Sequence, residues 1–193
     1  MKILLHICCG VCAASVVERL RQEGHEVIGF FFNPNIHPSQ EYERRLEVAR
    51  QVAKRLNFPL KLGPYWPKEW LRKTLSLRNE PEGGERCRVC FRLRLLETYR
   101  KLFELGGEVF TTTLTVSPHK SAQVINQIGR EIGGERFLER DFKKRDGFKR
   151  SIELAKSWGL YRQDYCGCIY SLKERRERNE RRKEGMQSAT EQG

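Results

Sequence analysis

Seven cysteines stand in three groups, at positions 8, 9 and 12, at 87 and 90, and at 166 and 168, and the chain has none elsewhere. An odd number cannot pair fully into internal disulfides. Cys9-x-x-Cys12 spans the end of an apolar run and the start of a helical pattern, where free backbone N–H groups and the helix dipole stabilise thiolate. Cys87 and Cys90 lie three apart at a helix start, so their sulfurs project the same way. Cys166-Gly-Cys168 requires a tight loop, which Gly167 permits. One structural zinc ion or one iron–sulfur cluster takes four thiolates and leaves three over. The surplus predicts a second metal beside the first, or redox-active thiols. The spacing leaves zinc and iron open. The groups are predicted to converge beyond the carboxyl end of the first strand.

The rest of the pattern says what fold performs that convergence. Strand-like runs at 2–7, 26–32, 59–62 and 108–113, with a short one at 137–138, alternate with helical periodicity over 12–23, 38–56, 66–77, 86–105, 121–132 and 148–158. Such alternation predicts a three-layer α/β/α fold with a mostly parallel sheet. Val27, Ile28, Phe30, Phe31 and Phe32 form a near-continuous apolar run, as in a strand buried on both faces. Ligands in these folds gather beyond the carboxyl ends of the strands. His6 to Gly10, Asn33 to His37 and Thr115 to Lys120 occupy such ends. The dinucleotide fingerprint and the G-K-[ST] phosphate loop are both absent.

A chain of 193 residues buries enough surface to fold without disulfides. No apolar run approaches the roughly 20 residues of a membrane span. Ile3 to Ile7 is too short for a signal-peptide core, so a cytoplasmic location with reduced thiols is expected. Residues 1–172 read as one catalytic α/β domain. Residues 173–193 read as a charged tail, a frayed helix over 173–184 followed by a mobile end over 185–193.

Net charge is +12, and it is clustered. Arg86, Arg88, Arg92 and Arg94 sit beside the second cysteine pair, and Lys143, Lys144, Arg145 and Arg150 form another patch. Both are predicted to meet phosphate, with a nucleic acid as partner. Asp164 and Tyr165 abut Cys166, and His37 and His119 follow strand ends. These four are the candidate proton donors. Asp164 leads, because a carboxyl buried beside thiolates is protonated more readily. His6, inside a strand, reads as a satisfied core histidine.

The segment from His6 to Cys12, the run Phe32 to His37 with Tyr42 and Arg45, Cys87 to Cys90 with Arg92 and Leu93, Phe110 to Lys120, and Tyr161 to Cys168 together resemble the cobalamin-independent epoxyqueuosine reductases, over about residues 3–172. Family members more often read Ala-Pro where this chain has Gly10-Val11. The resemblance implies a fold related to the adenine-nucleotide α-hydrolase and ATP-pyrophosphatase (HUP-like) group. It implies reduction of the epoxide of epoxyqueuosine at the tRNA wobble position to queuosine. It also implies a [4Fe–4S] cluster with a neighbouring iron, an electron donor not identified by the sequence, and metal-binding roles for all seven cysteines. Within it, Cys12, Cys87, Cys90 and Cys168 are assigned to the cluster, and Cys8, Cys9 and Cys166 to the second metal. A cluster-dependent tRNA-thiolating enzyme and a non-catalytic zinc-binding RNA module are the alternatives.

Overall fold

The computed structural model describes the backbone of residues 1–190 and the side chains of residues 1–182. Strand β1 (Lys2–His6) lies at the centre of a four-stranded sheet, flanked by β2 (Glu26–Phe31) and β4 (Val109–Thr112), with β3 (Leu60–Leu62) at the edge beyond β2. Every pairing is parallel, and His6 is in register with Phe30 on one side and Thr112 on the other. The central place of β1 follows from its sequence. Ile3, Leu5 and Ile7 enter one apolar core, and Leu4 enters the other.

The first core is covered by α1 (Gly10–Gln22), α2 (Ser39–Arg55) and α6 (Gly147–Ser157), through Val17, Leu20, Val52, Leu154 and their neighbours. The second is covered by α4 (Glu85–Arg100) and α5 (Ala122–Gly133), through Phe91, Leu95, Ile125 and Ile128. Two faces, each under helices, make the expected three-layer α/β/α arrangement. The short α3 (Pro67–Thr74) packs against α4.

Three boundaries differ from the sequence pattern. Phe137 forms a single bridge to Phe110 instead of a strand. α4 stops at Arg100, five residues early, because Leu102 turns into the core and Gly106 adopts φ +76° to bring the chain back to β4. α7 (Ile169–Thr190) begins ahead of the charged run and continues past Gly185. The mobile end expected over 185–193 falls on residues whose side chains are not described, and 191–193 lie outside the described residues altogether.

Because all strands run the same way, the segments after β1, β2 and β4 emerge at one end of the sheet. That end carries Cys8 and Cys9, the turn Asn33 to His37, and a 3₁₀ turn, Thr113–Val116.

Candidate metal centre

Cys8, Cys9 and Cys12 have their Sγ atoms within 4.8 Å of one another, with Cys8 and Cys9 4.0 Å apart. Cys9 caps α1: its backbone is extended, and its sulfur accepts the Cys12 N–H at 3.4 Å. The Cys8 amide donates to Thr113 Oγ1 at 2.9 Å, and the Thr113 hydroxyl donates back to Cys8 Sγ at 3.2 Å. Gly10 lets this turn press onto α2, since a Cβ there would lie 2.6 Å from the Val48 carbonyl carbon. The Cys12 and Cys9 thiols hold Cys8 well below the ordinary cysteine pKa. The same contacts, to Cys8 first and Cys9 second, push Cys12 well above it. Cys12 pulls Cys9 down, but Cys8 and burial outweigh it and leave Cys9 at about 12.

Cys87 and Cys90 lie on the first turns of α4, and Cys166 and Cys168 on the loop into α7. Cys90 and Cys168 pack together with Trp70. The Gly83 amide donates to Cys87 Sγ at 3.2 Å, and the Ser171 amide to Cys168 Sγ at 3.4 Å. Burial raises Cys87 to about 12 and Cys168 to about 11, with further upward pushes from neighbouring thiols. Each of these four thiols interacts electrostatically with the other three. Among the described residues, only Cys8, Cys9 and Cys12 form a set of three or more potential ligands this tightly spaced.

The loop carrying Cys166 and Cys168 is fastened to α2. Buried Arg45 donates to the carbonyls of Cys166 at 3.0 Å and Tyr165 at 3.1 Å, and pairs with buried Glu41 at 2.7 Å. Tyr161 donates its hydroxyl to Glu41 at 2.8 Å, and the His37 amide donates to the Gly167 carbonyl at 2.7 Å. Gly167 sits at φ +118° with Arg45 against it, so no side chain fits there without strain.

The groups meet around two adjoining cavities. The larger, about 340 Å³, is lined by Cys8, Cys12, Cys166, Arg45, Arg94 and Lys120 among others. The smaller, about 200 Å³, shares Cys166, His119 and Lys120 with it and adds Cys87. The convergence predicted from the cysteine spacing is therefore present. Cys12 stands with Cys8 and Cys9, while Cys166 lines both cavities, beside Cys8 and Cys12 in the larger and Cys87 in the smaller.

The other predicted residues divide. His119 is exposed and lines both cavities. Tyr165 lines the larger one, but its hydroxyl donates to the His37 carbonyl at 2.5 Å, and burial raises it to about 12. His37 faces Trp70, with Nδ1 donating to the Asn35 carbonyl at 2.8 Å and Nε2 unpartnered. Asp164 lines the cavity rim but is not the buried carboxyl that was expected: its side chain is 55% exposed and paired with Arg175. His6 is fully buried, with Nδ1 accepting from Thr112 Oγ1 at 2.8 Å and Nε2 donating to the Phe32 carbonyl at 3.1 Å.

Two of the predicted phosphate contacts are corrected by burial. Arg86 is 1% exposed and donates to the carbonyls of Arg78 and Glu80. Arg94 is 3% exposed, with Nη2 donating to Asn33 Oδ1 at 2.6 Å. Both lie on the inward face of α4. Arg88 and Arg92 pair with Glu85 and Glu131, and Arg150 with Glu18. Lys143 donates to the carbonyls of Thr115 and Lys120, while Lys144 and Arg145 are exposed. Sequence reasoning missed Lys120 and the α7 residues Arg175 and Arg178, which line the larger cavity, and Thr113 and Glu41, which hold Cys8 and Arg45 in place. Glu41 and Arg45 carried a signal, a charged i, i+4 pair flanking the apolar positions of α2.

No helix among the described residues is long and apolar enough to cross a membrane. The family model described as Epoxyqueuosine reductase QueH matches residues 3–174. A Streptococcus pyogenes protein named Epoxyqueuosine reductase QueH is 42% identical over 182 residues, 89% of this chain and 70% of its own length. The protein of that name from Thermotoga maritima is 35% identical over 183 residues, 92% of this chain and 93% of its own. One from Staphylococcus epidermidis is 39% identical, covering 88% of this chain and 76% of its own. With seven thiols drawn to the end of a parallel sheet and matches of this extent, the chain belongs to the epoxyqueuosine reductase QueH family.

Proposed function

We propose that the chain reduces the epoxide of epoxyqueuosine in tRNA to the cyclopentene of queuosine, the final step of queuosine synthesis. The observation that carries this reading, alongside family membership, is the cysteine triad open to the cavity. Cys8, Cys9 and Cys12 fit three corners of a tetrahedron around one ion, since thiolate bonds of about 2.3 Å give edges of about 3.8 Å. Three thiol sulfurs this close together are a donor set suited to a cation. Cys8 and Cys12 line the cavity, and three protein ligands with an open side is the arrangement of catalytic rather than structural metal sites. Cys87, Cys90, Cys166 and Cys168, more widely spaced, would hold a [4Fe–4S] cluster.

Removal of the epoxide oxygen as water consumes two electrons and two protons. A cluster held by Cys87, Cys90, Cys166 and Cys168 would supply electrons singly, and an ion held by Cys8, Cys9 and Cys12 would supply Lewis-acid polarisation. The chain itself orients the substrate and delivers protons. Lys120 and His119 line the cavity with the triad and are the groups placed to hold a proton there. Arg45 and Glu41 fix the Cys166 loop, and Tyr165 closes the wall beside it. The anticodon loop is single-stranded, so its modified base enters a pocket without melting a duplex. Arg175 and Arg178 on α7 stand at the cavity lining to meet its phosphates, with Lys144 and Arg145 as further exposed cations. Electrons come from an external one-electron carrier of the cytoplasm, and residues 1–172 form the catalytic unit.

The test is anaerobic incubation of the iron- and sulfide-loaded protein with tRNA carrying epoxyqueuosine and a chemical reductant, followed by nucleoside mass analysis. Loss of one oxygen mass is expected. Unchanged epoxyqueuosine with an intact, reduced cluster overturns the reading.

A further inference from the structure

Two cations on the cavity wall lack a carboxylate partner among the described residues. Arg94 is buried on α4, one turn beyond Cys90. Among the described residues its side chain donates only to Asn33 Oδ1, at 2.6 Å, and its Nε has no partner. Asn33 is itself buried, tied to the Ile7 carbonyl at 2.9 Å. Lys120, on the loop after the Thr113–Val116 turn, reaches only Ser117 Oγ, at 3.5 Å. A guanidinium taken out of water without a counter-charge is strongly disfavoured, so something in the cavity must compensate it.

The compensating groups are thiols, and each cation meets both cysteine sets. Arg94 lines the larger cavity with Cys8 and stands one helical turn beyond Cys90, and its charge favours the thiolate of each. Lys120 shares the larger cavity with Cys8, Cys12 and Cys166; burial disfavours its ammonium form, but these neighbours outweigh it. Lys120 also lines both cavities.

We propose that Arg94 and Lys120 form a fixed cationic bridge between the two thiol sets, positioning residues that offset thiolate charge and raise the reduction potential of the metal held there. The inference rests on the reading that these thiolates bind iron. Uptake of one electron from an external reductant adds one negative charge to the site. In a partly desolvated cavity a neighbouring permanent cation favours that reduced state. Arginine suits the buried position because it stays protonated whatever its surroundings.

Arg94→Gln, Arg94→Lys and Lys120→Gln, with Arg130→Gln as a surface control, would be purified anaerobically and assayed for iron and sulfide. Each would then be titrated potentiometrically against dithionite, with the cluster followed by visible absorption. Arg94→Gln and Lys120→Gln are expected to shift the one-electron reduction equilibrium at least tenfold toward the oxidised state, about 59 mV. Arg94→Lys should restore most of the shift, which a purely structural role would not do, and Arg130→Gln should match wild type. If Arg94→Gln loses its iron, Arg94→Lys and Lys120→Gln decide: a wild-type midpoint in both overturns the proposal. An unchanged midpoint in fully loaded Arg94→Gln also overturns it. A wild-type protein that takes up no iron and sulfide overturns the cofactor reading instead.

Discussion

Thr113 and Cys8 exchange two hydrogen bonds across the β1–β4 junction, the Cys8 amide giving to the hydroxyl and the hydroxyl giving to the sulfur. The register that places His6 beside Thr112 makes the exchange possible. Thr113→Val keeps the shape and removes both bonds, leaving the Cys8 amide without its acceptor. An unsatisfied buried donor costs about 1–3 kcal/mol. Urea unfolding of the metal-free protein should show a loss in that range. A change within error would mean that the triad is held by α1 alone.

The structure gives a reason for glycine at position 10. A Cβ would meet the Val48 and Ala49 backbone at 2.6 and 2.7 Å, and backbone cannot swing aside. Gly10→Ala should destabilise by about 1–3 kcal/mol, the usual range for overpacking. It should also weaken binding of a spectroscopic probe ion, cobalt(II), at the triad. Retained stability would show that α2 can retreat.

The Gly167 loop makes a parallel test at the other thiol set. Gly167→Ala places a methyl group 2.7 Å from Arg45 Nη1 in a backbone region that side chains avoid. Strain of this kind is worth about 1–3 kcal/mol. Sulfide content after anaerobic reconstitution should fall, while cobalt(II) binding at the triad stays near wild type. Equal losses at both would mean the two sites do not form independently.

Binding of tRNA should weaken in Arg175→Glu/Arg178→Glu and fall less steeply with salt than in wild type. Each lost phosphate contact removes about 0.7 from the slope of log K against log salt on a single strand. Filter binding across a salt series measures this. A double variant with the wild-type slope, beside a weakened Lys144→Glu/Arg145→Glu protein, would move the interface from α7 to the 143–150 segment.

His6 sets an acid limit on the metal-free fold. Burial, with the nearby Arg94 charge, lowers its pKa from 6.5 to about 3. Between those values the unfolded chain binds the proton that the folded chain refuses. Its stabilising contribution is therefore full above pH 6.5 and is lost as pH falls toward 3, by at most about 1.4 kcal/mol per pH unit. Denaturant midpoints at pH 7 and pH 5 should differ less in His6→Gln than in wild type. Identical pH dependence would remove His6 from the acid response.

The elements that carry the site were legible because strong periodicity wrote them. The run around Val27 and Phe31 announced a doubly buried strand, and the cysteine groups announced where ligands gather. Side-chain direction was not legible. Arg86 and Arg94 look like phosphate contacts in a basic run, but helical phase turns both inward, where carbonyls and Asn33 receive them. Asp164 sits beside Cys166 in sequence, yet the turn sends its carboxylate out to Arg175. Lys120 is one of many lysines by composition. Only the path of the loop after β4 sets it between thiols. Spacing tells which thiols are near in sequence, and the cap of α1 decides that Cys12 lies beside Cys8 and Cys9 in space.

The division of the thiols between the two ends of the chain has a consequence during synthesis. Domains assemble from the N-terminus as the chain leaves the ribosome. The triad needs β1, α1 and the Thr113 turn, all complete once β4 has emerged. Cys87 and Cys90 wait, facing an unfinished wall, until Cys166 and Cys168 arrive and Arg45 draws their loop onto α2. On the proposed assignment, a nascent chain stalled before that loop would present the triad alone, so the order of translation would set the order in which the two proposed sites become complete.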